Sequence, residues 1–136
     1  MDCIFCKIVD GSIPAYTIYE DEMFKVFLDI SPAALGHALV IPKIHCIDFF
    51  DLPEKYASGI LPAAQRAAAA IRESLGCAGI NILQNNGETA GQTIFHYHMH
   101  IIPRYENDKL RVGWEPLSPT QSELSEAYGN IKDFLK

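Results

Sequence analysis

The alternation of apolar and polar positions divides this chain into short strands and two helices. Thr17 to Glu20 and Met23 to Leu28 are rich in β-formers and flank Asp21-Glu22, which predicts a hairpin. Residues 29–37 form a loop punctuated by Pro32 and Gly36, and Ala38 to Ile41 is a short apolar strand stopped by Pro42. From Asp51 to Leu75 the period lengthens. Tyr56, Ile60, Ala63, Ala64, Ala67, Ile71 and Leu75 fall on one helical stripe, with Asp51 as cap, Glu54 three residues on, and Gly76 as the stop. Pro62 inside this helix predicts a kink. Gly79 to Gln84 is a strand, 85–91 a turn-rich loop, and Gly91 to Pro103 contains a further strand of aromatic and β-branched residues. Thr120 and Glu123 form a capping box before an amphipathic C-terminal helix carrying Leu124, Ala127, Tyr128, Ile131, Phe134 and Leu135. Hairpins interrupted by one long helix predict an α+β fold with a mainly antiparallel sheet.

With 136 residues, the chain is expected to be one domain, 1–136, with a helical extension at about 120–136. No apolar run approaches the ~20 residues of a membrane span, and no basic-then-apolar leader is visible. The expected location is the cytoplasm, with no membrane partner. A net charge of −6 argues against general nucleic-acid binding, which needs a basic face. It leaves room for one small nucleotide held by local donors.

Three of the five histidines lie in His96-Tyr97-His98-Met99-His100. In a strand these three share one face, with neighbours about 7 Å apart, while Phe95, Tyr97, Met99 and Ile101 face a core. Three imidazoles on one ridge are costly to bury without partners, so the pattern points to chemistry. Neutral imidazole attacks phosphorus well when one nitrogen is bare and the other is held as a donor. The middle residue, His98, suits that role, and its flanking histidines can meet phosphate oxygens or a leaving group. Upstream, Asn85, Gly87, Gly91, Gln92 and Thr93 supply donors of the kind that cradle phosphate. An ordinary turn would look the same.

Cys3-x-x-Cys6 opens the chain, and Cys46 and Cys77 are scattered. Cys3 and Cys6 with His45 and His96 match a structural zinc site, Cys46 being an alternative ligand. Two reduced core cysteines near Phe5 and Ile8 are the alternative, and ligand type and spacing favour zinc. A thioredoxin-type site would need a βαβ unit, which is not evident. Asp29 ends an apolar strand, where it can cap a turn or accept from ribose hydroxyls. His37 reads as a loop residue, and Trp114, the sole tryptophan, as core, as an anchor in a subunit interface or as a ligand contact.

At these positions the chain resembles the histidine triad (HIT) family. His96-Tyr97-His98-Met99-His100-Ile101-Ile102 fits its alternating signature. Cys3-Ile4-Phe5-Cys6-Lys7-Ile8, Phe27-Leu28-Asp29-Ile30, Gly36-His37-x-Leu39-Val40-Ile41-Pro42-Lys43-x-His45 and Asn85-x-Gly87-x-x-Ala90-Gly91-Gln92 follow its pattern in order. The match is nearest to the small Hint-like members, especially zinc-containing bacterial ones. The resemblance implies a five-stranded sheet, joined in a homodimer into ten strands. It implies that His98 is the nucleophile, that His100, His37 and His96 complete the catalytic group, and that Asn85, Gly91, Gln92 and Thr93 bind phosphate. It places ribose on Asp29 and Ile30, a purine base against Phe5, Ile8 and Phe27, and zinc on Cys3, Cys6, His45 and His96. Thr93 stands where many relatives carry serine, and the hydroxyl survives.

The leading expectation is a hydrolase that cleaves nucleoside 5′-phosphoramidates or related nucleotidyl substrates, adenosine foremost, through a nucleotidyl-His98 intermediate. Two others stand beside it: a nucleotide-binding interaction protein with little catalysis, and a metallohydrolase with zinc on the triplet. The last is disfavoured because His96 and His100 on a flat strand lie about 14 Å apart.

Overall fold

The computed structural model describes residues 2–136. In chain order it contains α1 (Ile4–Val9), β1 (Thr17–Glu20), β2 (Phe24–Leu28), β3 (Ala38–Pro42), α2 (Glu54–Leu75), β4 (Gly79–Gln84), a 3₁₀ turn (Glu88–Ala90), β5 (Met99–Arg104) and α3 (Gln121–Phe134). The five strands form one antiparallel sheet in the order β1-β2-β3-β5-β4. This is the expected α+β architecture. No helix among the described residues is long and apolar enough to cross a membrane.

Strand alternation assigns the two faces. Phe24, Val26, Ala38, Val40, Met99 and Ile101 pack with Ile60, Ala63, Ala64, Ala67 and Ile71 of α2, forming the main core. Phe27, Leu39 and Ile41 point the other way and pack with Phe5 and Ile8 of α1. Each large apolar side chain so buried contributes about 1.5–3 kcal/mol. β3 is central and buried at all five positions, so its sequence shows no polar alternation. One face of the sheet is covered by 22 residues of helix and the other by only six. A cleft is left on the thinly covered face.

Several local expectations are corrected. The long helix begins at Glu54, not Asp51, and Pro53 is its N-cap. Proline lacks the N–H that a first turn leaves unpaired, and it holds the preceding residue extended. Asp51 accepts instead from the Ile47 N–H at 2.8 Å. The helix continues through Pro62 to a left-handed Gly76 at φ 66°. The histidine strand is shorter than expected, because β5 starts at Met99 and the ladder to β3 stops at Val40–Met99. Beyond that pair Pro42 offers a carbonyl but no N–H, and the Tyr97 N–H turns to the Cys46 carbonyl at 2.7 Å. Only His100 of the triplet is therefore on a regular strand. Tyr97 and Met99 do enter the core, but Phe95 stays on the surface.

The capping box at Thr120 and Glu123 is present, and α3 buries none of its residues. Trp114 is 84% exposed, so it is not core.

Candidate active site and metal centre

The cleft, about 360 Å³, is lined by Phe5, Ile8, Phe27, Asp29, Ile30, Thr93, His98 and His100 among others. Eight positions singled out in the sequence thus meet around one space. Its apolar floor comes from α1, β2 and β3. Its polar rim comes from the end of β2 and from the segment leading into β5. Leu39, Ser31, Ile13, Pro14 and Ile94 also line it. Leu39 could have been found from alternation, since it is opposite in phase to the core residues Ala38 and Val40. The other apolar liners carry no sequence signal that separates them from core.

Hydrogen bonds fix the state of each imidazole. His98 Nδ1 lies 2.8 Å from the His96 carbonyl, which can only accept. Nδ1 therefore carries the hydrogen, and Nε2 is the bare nitrogen on a ring that lines the cleft. The Ala33 backbone N–H donates to His37 Nδ1 at 3.0 Å. His37 must then carry its hydrogen on Nε2, which lies 2.9 Å from His100 Nδ1. His100 Nδ1 accepts, so its Nε2 carries an N–H. The arrangement offers one bare nitrogen and one N–H donor on adjacent rings, whose centroids are 5.0 Å apart.

Burial holds His98 below the usual imidazole range, against opposing pulls from the His96 carbonyl and the Asp29 charge. His100 is pushed down to about 4 by burial and by its His98 and His37 neighbours. Burial lowers His37 as well, partly offset by Asp29. The three rings are neutral at pH 7. Asp29 Oδ1 accepts from the Ser31 N–H at 2.8 Å, so the turn-cap role is real. Its Oδ2 lies 3.7 Å from His37 Nε2.

The loop before the triplet is held by its own residues and by the segment after β3. Gly91 adopts φ 99°, and an added Cβ would meet Asn85 Nδ2 at 3.4 Å. Gln92 is buried, its Oε1 accepting from the Gly87 N–H at 2.8 Å and its Nε2 donating to the Ile47 and Ile94 carbonyls. Asn85 Nδ2 donates to the Gly91 carbonyl at 3.5 Å. Of Asn85, Gly91, Gln92 and Thr93, only Thr93 lines the cleft. The Gln92 amide is committed to backbone groups, and Asn85 and Gly91 are joined to each other in the same loop.

His96 faces elsewhere. Its Nε2 donates to the Pro42 carbonyl at 2.9 Å, leaving Nδ1 bare, 3.4 Å from Cys3 Sγ and 3.6 Å from Cys6 Sγ. His45 Nδ1 lies 3.4 Å from Cys6 Sγ. One ligand atom from each of Cys3, Cys6, His45 and His96 falls within 4.8 Å of the others, a geometry able to hold a metal ion. Two thiols and two imidazole nitrogens suit zinc, and the Pro42 carbonyl fixes the ligating tautomer of His96. Cys46 is buried in the main core and takes no part. Burial and the adjacent Cys3 thiol push the Cys6 thiol up to about 11, so a bound cation would displace its proton.

Comparison with known proteins identifies the family and the fold. The HIT domain family model matches residues 10–107. A crystal structure of a HIT family member from Bacillus subtilis superposes with a TM-score of 0.93 at 42% identity, covering 100% of this chain and 99% of that one. A zinc-bound histidine triad family protein from Mycobacterium smegmatis superposes at 0.78 with 42% identity, covering 98% of this chain and 97% of that one. The adenosine 5′-monophosphoramidase hnt1 of Schizosaccharomyces pombe is 44% identical over 124 residues, covering 89% of this chain and 90% of its own length. The chain belongs to the HIT domain family.

Proposed function

We propose that this chain hydrolyses nucleoside 5′-phosphoramidates or related nucleotidyl substrates, with adenosine the favoured nucleoside, through a covalent nucleotidyl-His98 intermediate. One observation carries the proposal: the His98 Nδ1–H is held by the His96 carbonyl at 2.8 Å, so its Nε2 is bare on a ring lining the cleft. His98 Nε2 attacks the α-phosphorus as the bond to the amine breaks, and the amine takes a proton from solvent as it leaves, which the later hydrolysis returns. Water then cleaves the phosphorus–nitrogen bond to His98 and releases a nucleoside monophosphate. The His100 Nε2–H offsets charge developing on the phosphoryl oxygens. The base rests against Phe5, Ile8 and Phe27 beside Ile30, and the Asp29 carboxylate accepts from ribose hydroxyls. Thr93 borders the phosphate, and the loop residues Asn85, Gly91 and Gln92 act by shaping the loop behind it. His37 acts behind His100, and His96 supplies the carbonyl that orients His98. A similar relative named as an adenosine 5′-monophosphoramidase supports the substrate class.

Zinc fits Cys3, Cys6, His45 and His96, where it would supply a closed structural crosslink with no open coordination position. We also infer a homodimer in which two sheets join into ten strands. Support comes from the position of β4 at the sheet edge and from the half-exposed Ile82 on it.

The test is AMP release from adenosine 5′-phosphoramidate by wild type and His98→Ala, with wild type quenched early for mass spectrometry. Turnover lost in the variant, with an adenylyl adduct on His98, is the expected result. Full turnover by His98→Ala would sink the mechanism. The exposed apolar residues of α3 favour a second reading, a nucleotide-binding interaction protein. Tight AMP binding with no turnover and no adduct would establish that one.

A further inference from the structure

We infer that Phe5 is a positioning residue for the nucleophile, and that through it metal uptake at the cysteine–histidine cluster and nucleotide binding in the cleft strengthen each other. The inference rests on the nucleotide reading above.

The helix α1 has six residues and is too short to hold its shape or place alone. Its flanks serve two sites. Cys3, its N-cap, and Cys6 face the metal cluster, while Phe5 and Ile8 form the floor of the cleft. Phe5 is 3% exposed, and its ring makes edge contacts to three others. These are Phe27 at 5.6 Å, His98 at 5.1 Å and His96 at 5.9 Å between centroids. One aromatic ring therefore touches both a ligand of the cluster and the nucleophile. A second link runs through the backbone, since the His96 carbonyl receives the His98 Nδ1–H.

At its far end α1 is tied to the sheet by Lys25 Nζ donating to the Ile8 carbonyl at 3.1 Å. At its near end Phe5 packs on the sheet, but among the described residues the side-chain polar contacts to the rest of the chain are thiol–imidazole ones at 3.4–3.6 Å, and sulfur is a weak hydrogen-bonding partner. Coordination would replace those weak contacts with a crosslink from α1 to His45 and His96. The crosslink confines α1 to the position in which Phe5 packs on His98 and the floor is complete. Confining an ensemble to its competent state tightens the next ligand, and by linkage the effect is reciprocal. The coupling expected here is about tenfold.

The experiment uses the full chain, zinc-loaded or stripped by chelator under reducing conditions, with folding checked by circular dichroism. AMP affinity is measured by calorimetry in both states. Zinc affinity is measured against a chromophoric chelator with and without saturating AMP. Stripping is expected to weaken AMP about tenfold, and AMP to tighten zinc by the same factor. In Phe5→Leu both ligands still bind but the coupling factor falls towards one, and Phe5→Tyr restores it. A purely structural role for Phe5 would change the two affinities without changing their coupling. His45→Ala removes an exposed ligand without opening the core, and it gives the same comparison across a zinc titration if stripping unfolds the wild type. Equal AMP affinity in the folded loaded and stripped proteins overturns the inference, as does an undiminished coupling factor in Phe5→Leu. Strong AMP binding without coupling overturns this inference alone. No AMP binding by the loaded wild type overturns the nucleotide reading as well.

Discussion

Replacing His37 with alanine tests whether a buried residue outside the cleft sets the proton on His100. The Ala33 N–H makes His37 Nδ1 an acceptor, which makes His37 Nε2 a donor to His100 Nδ1 at 2.9 Å. That bond biases His100 towards the tautomer with its N–H on Nε2. A neutral hydrogen bond of this kind is worth about 0.5–1.5 kcal/mol net. Losing the bias should therefore lower kcat roughly 2- to 13-fold with little change in KM. His100→Ala removes the donor itself, and loss of a donor aimed at developing charge costs about 10²–10³ in kcat. Because His37 is 5% exposed and acts through His100, the double variant should be no slower than His100→Ala alone. The assay is initial-rate AMP release from adenosine 5′-phosphoramidate for wild type, both single variants and the double. His37→Ala also leaves the Ala33 N–H without its acceptor, at about 1–3 kcal/mol of stability, so rates are taken well below the measured Tm. Losses that multiply in the double variant would refute the reasoning, because His37 would then act independently of His100. A rise in KM at constant kcat would refute it too.

Burial lowers both His98 and His100, the latter to about 4, so the nucleophile stays neutral below the ordinary imidazole pKa of about 6.5. The kcat/KM profile should be flat through neutrality and fall on acidification with a midpoint below about 6.5; a midpoint at or above that value contradicts the assignment. The same lowering has a stability consequence, because the unfolded chain takes up protons near pH 6.5 that folded His100 refuses until about 4. The Tm should decline as pH falls through that window, and a Tm that rises there would show the sign to be wrong. Asp29→Asn replaces a charged acceptor with a neutral one and should weaken AMP about tenfold, with 2′,3′-dideoxy-AMP little affected; equal losses for both ligands would remove Asp29 from the ribose site. Gly36→Ala puts a side chain at φ 94°, with its Cβ against Leu75 Cδ1 and 3.4 Å from Pro103 Cγ. Half-exposed Leu75 can swing aside, so the backbone dominates the cost, about 1–2 kcal/mol in a urea melt; no loss of stability would mean that the turn before His37 can relax.

Much of this architecture was legible because two signals are local. Period-two runs marked the β1–β2 hairpin and β4, and the alanine-rich stripe marked α2. The ligand chemistry of Cys3, Cys6, His45 and His96 marked a cluster whose members are up to 93 residues apart. Other features depend on contacts that no local pattern encodes. α1 spans less than two helical turns, too short for a period to show, and it exists because Phe5 and Ile8 have the sheet to pack on. The start of α2 passed from Asp51 to Pro53 because the Asp51 carboxylate was needed by the Ile47 N–H. Gln92 looks like a ligand contact in a loop rich in donors, yet its amide is spent on the backbone of Gly87 and Ile94 and on the distant Ile47 carbonyl. Apolar lining such as Ile13 and Ile94 cannot be told from core, because an apolar pocket and a core ask the same thing of a side chain.

The triplet shows why spacing alone could not assign its members. Strict alternation predicts three equivalent rings along one ridge, and the structure gives three different rings. What separates them is the partner that holds the second nitrogen of each. His96 donates through Nε2 to Pro42 and turns a bare Nδ1 towards two thiols. His98 donates through Nδ1 to the carbonyl of His96 and keeps a bare Nε2 for the cleft. His100 accepts at Nδ1 from His37 and keeps an N–H. The candidate metal ligand, the proposed nucleophile and the N–H donor thus differ through three partners, two of them backbone carbonyls that carry no trace in the sequence. The break in the strand before Met99 is the condition for this. On a continuous ladder the Pro42 and His96 carbonyls would be subject to strand pairing, and the orienting bonds to the two rings would have to compete with it. The irregular backbone between Thr93 and His98 therefore matters to the site, because it leaves free the carbonyls that set the tautomers of His96 and His98.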